Sequence, residues 1–207
     1  MDGLMIDSEP LHQEAFNKVF QKYGKELTTK DNNEFYVGLS DKDAAMDMVQ
    51  RYSLPITAEE LVRKKQKTYI EILASGIVPQ PGLLPLLKKL KENKYKNVIA
   101  SGCLLTEIKL VIDSLKINDY IQSYFSSEQV RRGKPSPDLF LHAANKMGIN
   151  SSETLVLEDS SKGIDAANAA HMKSFAIPSS QTKGNNFKNA TKVLNSLNDV
   201  FDSLKTL

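Results

Sequence analysis

With 207 residues, 41% of them hydrophobic and 25% charged, the chain is long enough for one substantial core, or for a core with a smaller insertion. A formal net charge of +2 is too small to argue for a nucleic-acid or membrane-surface partner, and a single cysteine excludes an internal disulfide or a zinc–thiolate cluster. No stretch approaches ~20 apolar residues and no cationic hydrophobic leader opens the chain, so a soluble, cytoplasmic protein is expected.

The chain starts Met1-Asp2-Gly3-Leu4-Met5-Ile6-Asp7-Ser8-Glu9-Pro10-Leu11-His12. An Asp-Gly pair, a short apolar run and Asp-Ser read as a loop that leaves a buried strand and enters a helix. The strand itself is not in the sequence, so Asp2 is expected at the tip of an absent element, through either a start upstream or a truncation. Residues 8 to 75 then read as helical. Leu11, Ala15, Phe16, Val19, Phe20 and Tyr23 form an apolar face, and Gly24 ends that helix. A second helix is expected over residues 41 to 52, with Ala45, Met48 and Val49 inward. Thr57-x-x-Glu60 is a capping-box pattern before Leu61, Val62, Tyr69, Ile70 and Leu73.

The rhythm changes at Pro79-Gln80-Pro81-Gly82. An amphipathic helix is expected from Leu83 to Lys91, a strand at Val98-Ile99-Ala100 and a helix over 104 to 116. A weak strand at Tyr124-Phe125 precedes a helix from Pro137 to Met147, closed by Gly148. Thr154-Leu155-Val156-Leu157 is a strong strand and ends in the paired acids Glu158-Asp159. A helix from about Ser161 to Ala170 leads to Phe175-Ala176-Ile177, and a strand near Val193-Leu194 precedes a closing helix from about Asn198. Ser179 to Asn189 is loop-like. Alternation of this kind indicates an α/β fold, a parallel sheet covered by helices.

In such sheets ligands sit outside the carboxyl ends of the strands. The polar residues at those ends are Asp2, Ser101 with Gly102, and Glu158-Asp159, with Gly133-Lys134-Pro135 in a loop before a helix. Together they suit an anion held through a divalent metal. Glu158 and Asp159 supply hard oxygen ligands for Mg²⁺, and the helix start after Ser101 can offer backbone N–H groups to a phosphate. Lys134 can neutralise charge that grows during phosphoryl transfer. Plainer readings exist for each: a solvated strand end, a helix cap, a surface lysine. His12 suits substrate contact or packing equally. Asp138 is read as a brace for the Lys134 loop or a cap of its helix, Asp7 as a cap or brace of its turn, and His142 and His171 as structural. Cys103 has no His or Asp neighbour in sequence to activate its thiol.

The segments Asp2 to His12, Ala100-Ser101-Gly102, Gly133-Lys134-Pro135-Ser136-Pro137-Asp138 and Leu157-Glu158-Asp159-Ser160-Ser161-Lys162-Gly163-Ile164 resemble the four ordered motifs of the haloacid dehalogenase superfamily. They are most similar to its phosphatase and β-phosphoglucomutase-like branch with a helical cap. The resemblance covers essentially the whole chain. It implies a Rossmann-like core from residues 1–11 and 80–207, a helical cap from 12–79, and a first core strand outside this sequence. It also implies Mg²⁺-dependent hydrolysis of a small phosphomonoester (a sugar, polyol or nucleoside phosphate) through an aspartyl-phosphate intermediate. Asp2 takes the place of the family's acid/base, with its carbonyl on the metal beside Glu158 and Asp159; Ser101 and Lys134 hold the phosphate, while Gly102 and His12 are only candidates for substrate contact. The family's nucleophile falls one position before Met1, so the numbered chain is expected to be impaired. Asp7 is not expected to replace it.

Within the resemblance, a phosphosugar mutase and a non-catalytic binding protein are the alternatives. The mutase has an arginine after Gly38-Leu39-Ser40 where this chain has Asp41, and Ser-Lys-Asn after the loop serine where this chain has Cys103-Leu104-Leu105; both departures favour hydrolysis. The partner implied is a small phosphorylated metabolite, with no nucleic acid or membrane. A monomer is expected, or a dimer if the missing strand exposes a sheet edge.

Overall fold

The computed structural model describes residues 1–37 and 39–207. It divides into two compact units, Ser8–Ile77 and Met1–Asp7 with Val78–Leu207.

The Ser8–Ile77 unit is helical. Helix α1 (Glu9–Phe20) starts with Pro10 in its first turn, where a missing N–H costs nothing. Its buried Ala15, Phe16, Val19 and Phe20 face the core. A 3₁₀ turn, Gln21–Tyr23, extends it to Gly24 at φ 66°, so the helix closes where the glycine predicts. The short α2 (Thr29–Asp31) runs into a π-helical turn, Asn32–Tyr36, followed by α3 (Asp41–Arg51) and α4 (Ala58–Ser75). Thr28, Ser40 and Thr57 each accept a hydrogen bond from a first-turn amide. The capping box at Thr57 is half made: the Glu60 amide reaches Thr57, while the Glu60 carboxylate turns to Lys64 at 2.8 Å. Phe16, Phe20, Leu27, Met48, Leu54 and Leu61 form the core of this unit.

The other unit is α/β. Strand β1 (Val98–Ser101) pairs in parallel with β2 (Ser123–Ser126), and β3 (Leu155–Glu158), β4 (Lys173–Ala176) and β5 (Lys192–Val193) form a second parallel group in the order β3–β4–β5. Helices α5 (Leu83–Glu92), α6 (Leu105–Ser114), α7 (Asp138–Met147), α8 (Ser161–Ala169) and α9 (Val200–Leu204) complete it. The sheet is therefore in two pieces, with β1 at one edge and β3 at the other. A groove of about 680 Å³ is lined by residues of both edges, Ile99, Ala100, Leu155 and Leu157 among them, and by Leu86 and Ala144 from α5 and α7. Among the described residues no helix is long and apolar enough to cross a membrane.

Candidate active site

Parallel pairing brings the carboxyl ends of the strands to one side. At the end of β1, the buried Ser101 accepts a hydrogen bond from the Cys103 amide at 3.2 Å. At the end of β2, Ser126 is fully buried and its hydroxyl donates to the Cys103 carbonyl at 2.6 Å. Two serines thus pin the turn that follows β1. The amides of Cys103, Leu104 and Leu105 are taken by Ser101, Glu107 and Glu128. These three amides are therefore not free to serve a phosphate at this helix start.

Lys134 reaches the same place from the loop before α7. Its ammonium pairs with the Glu158 carboxylate, donates to the Ala100 carbonyl at 3.3 Å and lies 4.7 Å from the Phe140 ring centre. The loop itself is braced, as the sequence suggests, by Asp138. That carboxylate accepts from Ser136 at 2.7 Å and from Nη2 and Nε of Arg132 at 2.9 and 3.1 Å. Arg132, then Ser136, hold it at about 2, well below the usual carboxylate range.

The second oxygen of Glu158 accepts from the Ser160 hydroxyl at 2.8 Å and the Ser160 amide at 3.2 Å. Burial alone would raise the Glu158 carboxyl, but the Lys134 charge and these hydrogen bonds bring it below its ordinary value. Glu158 is thus an anion. The approach is possible because residue 163 is glycine: a Cβ there would fall inside the Glu158 carboxyl group. Asp159 differs. Burial, then the charge of Glu158, push its carboxyl up to about 6. It packs onto Gly3, which sits at φ +67° and has no room for a Cβ against the Asp159 oxygens.

Asp2 precedes Gly3 in the N-terminal loop, where Met5 donates to the Met1 carbonyl at 2.7 Å and Asp2 bridges to Ile6. The Cys103 thiol donates to its carboxylate at 2.6 Å. Burial and the Asp2 charge push that thiol up, so it is a protonated donor and a poor nucleophile. Among the described residues no three His, Cys, Asp or Glu side chains already converge as a metal cage. Mg²⁺, however, commonly uses one or two carboxylates and takes its remaining ligands from water and phosphate. Asp159 and Glu158, side by side with Gly3 tucked under Asp159, are a donor set of that kind.

His12 lies in the helical unit. Its Nδ1 is 2.8 Å from the Lys65 ammonium and its ring stacks on Tyr69 at 4.2 Å. Lys65 is completely buried and also donates to both oxygens of Asp41, at 2.7 and 2.8 Å. Asp7 is exposed. His142 packs edge-on against Phe125 at 5.6 Å, and His171 occupies a turn at φ 55°. Sequence reasoning did not single out Ser126 or Lys65, and it placed Ser160 and Gly163 in the segment Leu157 to Ile164 without giving them a role. Ser126 and Ser160 had a usable signal, since each directly follows a strand or its acidic end. Lys65 had none, being one of several lysines on α4.

The haloacid dehalogenase-like hydrolase family model matches residues 1–177. A probable pseudouridine-5′-phosphatase of Drosophila melanogaster is 35% identical over 205 residues, 96% of this chain and 88% of that protein. A fructose-1-phosphate phosphatase of Escherichia coli is 25% identical over 83% of this chain and 90% of its own length. Among solved structures, a β-phosphoglucomutase of Clostridium difficile superposes with a TM-score of 0.74 at 25% identity, over 99% of this chain and 92% of that one. The structure of CbbY from Rhodobacter sphaeroides in complex with phosphate gives 0.81 at 22% identity, over 97% and 93%; that likeness shows the fold. With a family model spanning most of its length and a rim of serine, lysine and paired acids at its strand ends, this chain belongs to the haloacid dehalogenase-like hydrolases.

Proposed function

We propose that this unit hydrolyses a small phosphomonoester (a sugar, polyol or nucleoside phosphate) with Mg²⁺, as a cytoplasmic monomer. The observation that supports it best is Lys134, whose ammonium lies at the ends of β1 and β3 at once. Lys134 and Ser101 would hold the phosphoryl oxygens, with Glu158 fixing the lysine's position. Asp159, Glu158 and the Asp2 carbonyl would hold Mg²⁺, which when bound neutralises phosphate charge. Asp2 would move the proton, to the leaving oxygen first and then from water; the thiol of Cys103 at 2.6 Å orients its carboxylate. Attack by an aspartate carboxylate would form an aspartyl phosphate, which water then hydrolyses.

A mutase needs a cap group to hold a second phosphate. Asp41, at the position of interest, is an acid already bound to Lys65, which favours hydrolysis. The test is a Mg²⁺-dependent phosphatase assay on pseudouridine 5′-phosphate, fructose 1-phosphate and hexitol phosphates. It compares the present chain with one extended by an apolar strand ending in Asp before Met1. Activity confined to the extended form, and lost in its Asp159→Asn variant, is expected. Activity in the unextended chain would give the attack to another carboxylate, with Asp7 the first to replace. Silence in both would overturn the hydrolytic reading.

A further inference from the structure

We propose that Ser127 is a further substrate-contacting residue, whose hydroxyl holds a hydroxyl group on the alcohol half of the substrate; this rests on the phosphomonoester reading of the rim and narrows its substrate class to polyol and sugar phosphates. A Cβ on Gly102 would stand 3.8 Å from Ser127 Oγ, and so would a Cβ on Gly133. Neither glycine carries one, so the Ser127 hydroxyl opens on both sides into a recess about the width of a methyl group, of the kind glycines leave where a ligand approaches the backbone. Gly102 and Gly133 are exposed and Ser127 is half-buried, so the recess is open to solvent. A ligand oxygen drawn about 1 Å closer than those Cβ positions would lie ~2.8 Å from Oγ, at hydrogen-bond distance.

The turn that carries Ser127 is held on both flanks. The Ser126 hydroxyl donates to the Cys103 carbonyl at 2.6 Å and accepts from the Glu128 amide at 3.1 Å. The Gln129 side-chain oxygen accepts from the Ser126 amide at 2.9 Å, and the Glu128 carboxylate accepts from the Leu105 amide at 2.8 Å. Ser126, Glu128 and Gln129 thus each commit a side-chain oxygen to the turn. The Ser127 hydroxyl has no hydrogen-bond partner among the described residues. A hydroxyl fixed on a braced turn and left without a partner is preorganised for a ligand.

Strand register says which half of the substrate it meets. Ser101 pairs with Ser126 across β1 and β2, so Ser127 stands one residue, ~3.3 Å, beyond the strand ends. In the proposed site Ser101 and Lys134 hold the phosphoryl oxygens. A group one residue further out meets what the phosphoryl group carries, which is the alcohol. The amides of Cys103, Leu104 and Leu105 are already engaged, so they do not compete for that alcohol. A hydroxyl both donates and accepts, and a neutral alcohol satisfies both roles, whereas a phosphoryl oxygen uses the donor alone.

The test is titration calorimetry with Mg²⁺ present, on three probes that are not hydrolysed: inorganic phosphate, butylphosphonate and 3,4-dihydroxybutylphosphonate. The two phosphonates differ in their hydroxyl groups alone. The present chain should bind the dihydroxy probe more tightly than butylphosphonate. Ser127→Ala should weaken the dihydroxy probe by about 5-fold, the worth of one neutral hydrogen bond, and leave the other two probes unchanged. Gly133→Ala fills the recess and keeps the hydroxyl, at a residue outside the left-handed region; it should weaken the same probe. An unchanged dihydroxy probe in Ser127→Ala would overturn the proposal. Equal loss on all three probes would overturn it as well, making Ser127 a phosphate ligand. Amide NMR of the present chain separates these failures from failure of the reading beneath them: inorganic phosphate should shift Ser101, Gly102 and Lys134. If it shifts none of them, the phosphomonoester reading falls and the role of Ser127 with it.

Discussion

Lys134 donates to the Ala100 carbonyl at 3.3 Å and pairs with the Glu158 carboxylate, so one ammonium links the ends of β1 and β3, which share no backbone hydrogen bond. The pair is well covered, with side-chain exposures of 17% and 8%. Removing one partner from such a pair strands a buried charge and costs about 3 kcal/mol, whereas removing both costs much less. Lys134→Met is therefore expected to destabilise more than Lys134→Met combined with Glu158→Gln. Urea unfolding of the four proteins of this cycle checks it; additive losses would contradict a coupled pair.

Gly163 lies in α8, where alanine would ordinarily stabilise by ~1 kcal/mol. Here a Cβ collides with the Glu158 carboxyl group, and overpacking of this kind costs ~1–3 kcal/mol. Gly163→Ala should lower the urea midpoint in the parent chain. In a Glu158→Ala background the obstacle is gone, and the same substitution should be neutral or stabilising. A loss of equal size in both backgrounds would place the cause in the helix backbone instead.

The helical unit should fail at alkaline pH. Burial, then the hydrogen bond to Asp31 at 3.1 Å, raise the Tyr52 phenol from 10.0 to about 12. Tyr36, buried and bonded to Asp47 at 2.6 Å, is raised as well. Because the folded values lie above the unfolded one, the stability these phenols contribute is whole below pH 10 and is lost as the pH climbs from 10 through about 12. Tyrosinate absorbance should show two late-titrating phenols that appear together with loss of helix. Tyr52→Phe keeps the ring contact with Phe20, at 5.0 Å between centroids, and should remove part of that pH dependence.

The α/β fold and most of its elements were legible because alternating apolar runs, Gly24, Gly148 and the caps at Ser40 and Thr57 each act over a few residues. The rim residues were legible because Ser101 and Glu158 end their strands and Lys134 stands in a short Gly–Pro frame. The pairing of Lys65 with Asp41 and His12 spans 24 and 53 residues, and no local signal marks which lysine of α4 turns inward. The role of Gly163, a residue of the fourth motif segment, was hidden for a similar reason. Its role is to leave room for Glu158, and only coordinates show which group needs that room. The division of the sheet into two pieces follows from strand order, which sequence rhythm does not encode.

Strand order also governs how the groove responds to filling. Were it an enclosed void, about 680 Å³ at ~24 cal/mol per Å³ would cost ~16 kcal/mol, more than the whole stability of a typical domain. An apolar groove of that size gains from a side chain that fills part of it. Ala144, on α7, is buried and lines it. Ala144→Leu in the present chain should stabilise by roughly 1 kcal/mol, since each buried methylene is worth ~0.8 kcal/mol before the cost of rearrangement. The change in thermal midpoint is the measurement; a lower midpoint would mean that the groove has no room for a larger side chain beside Ala144.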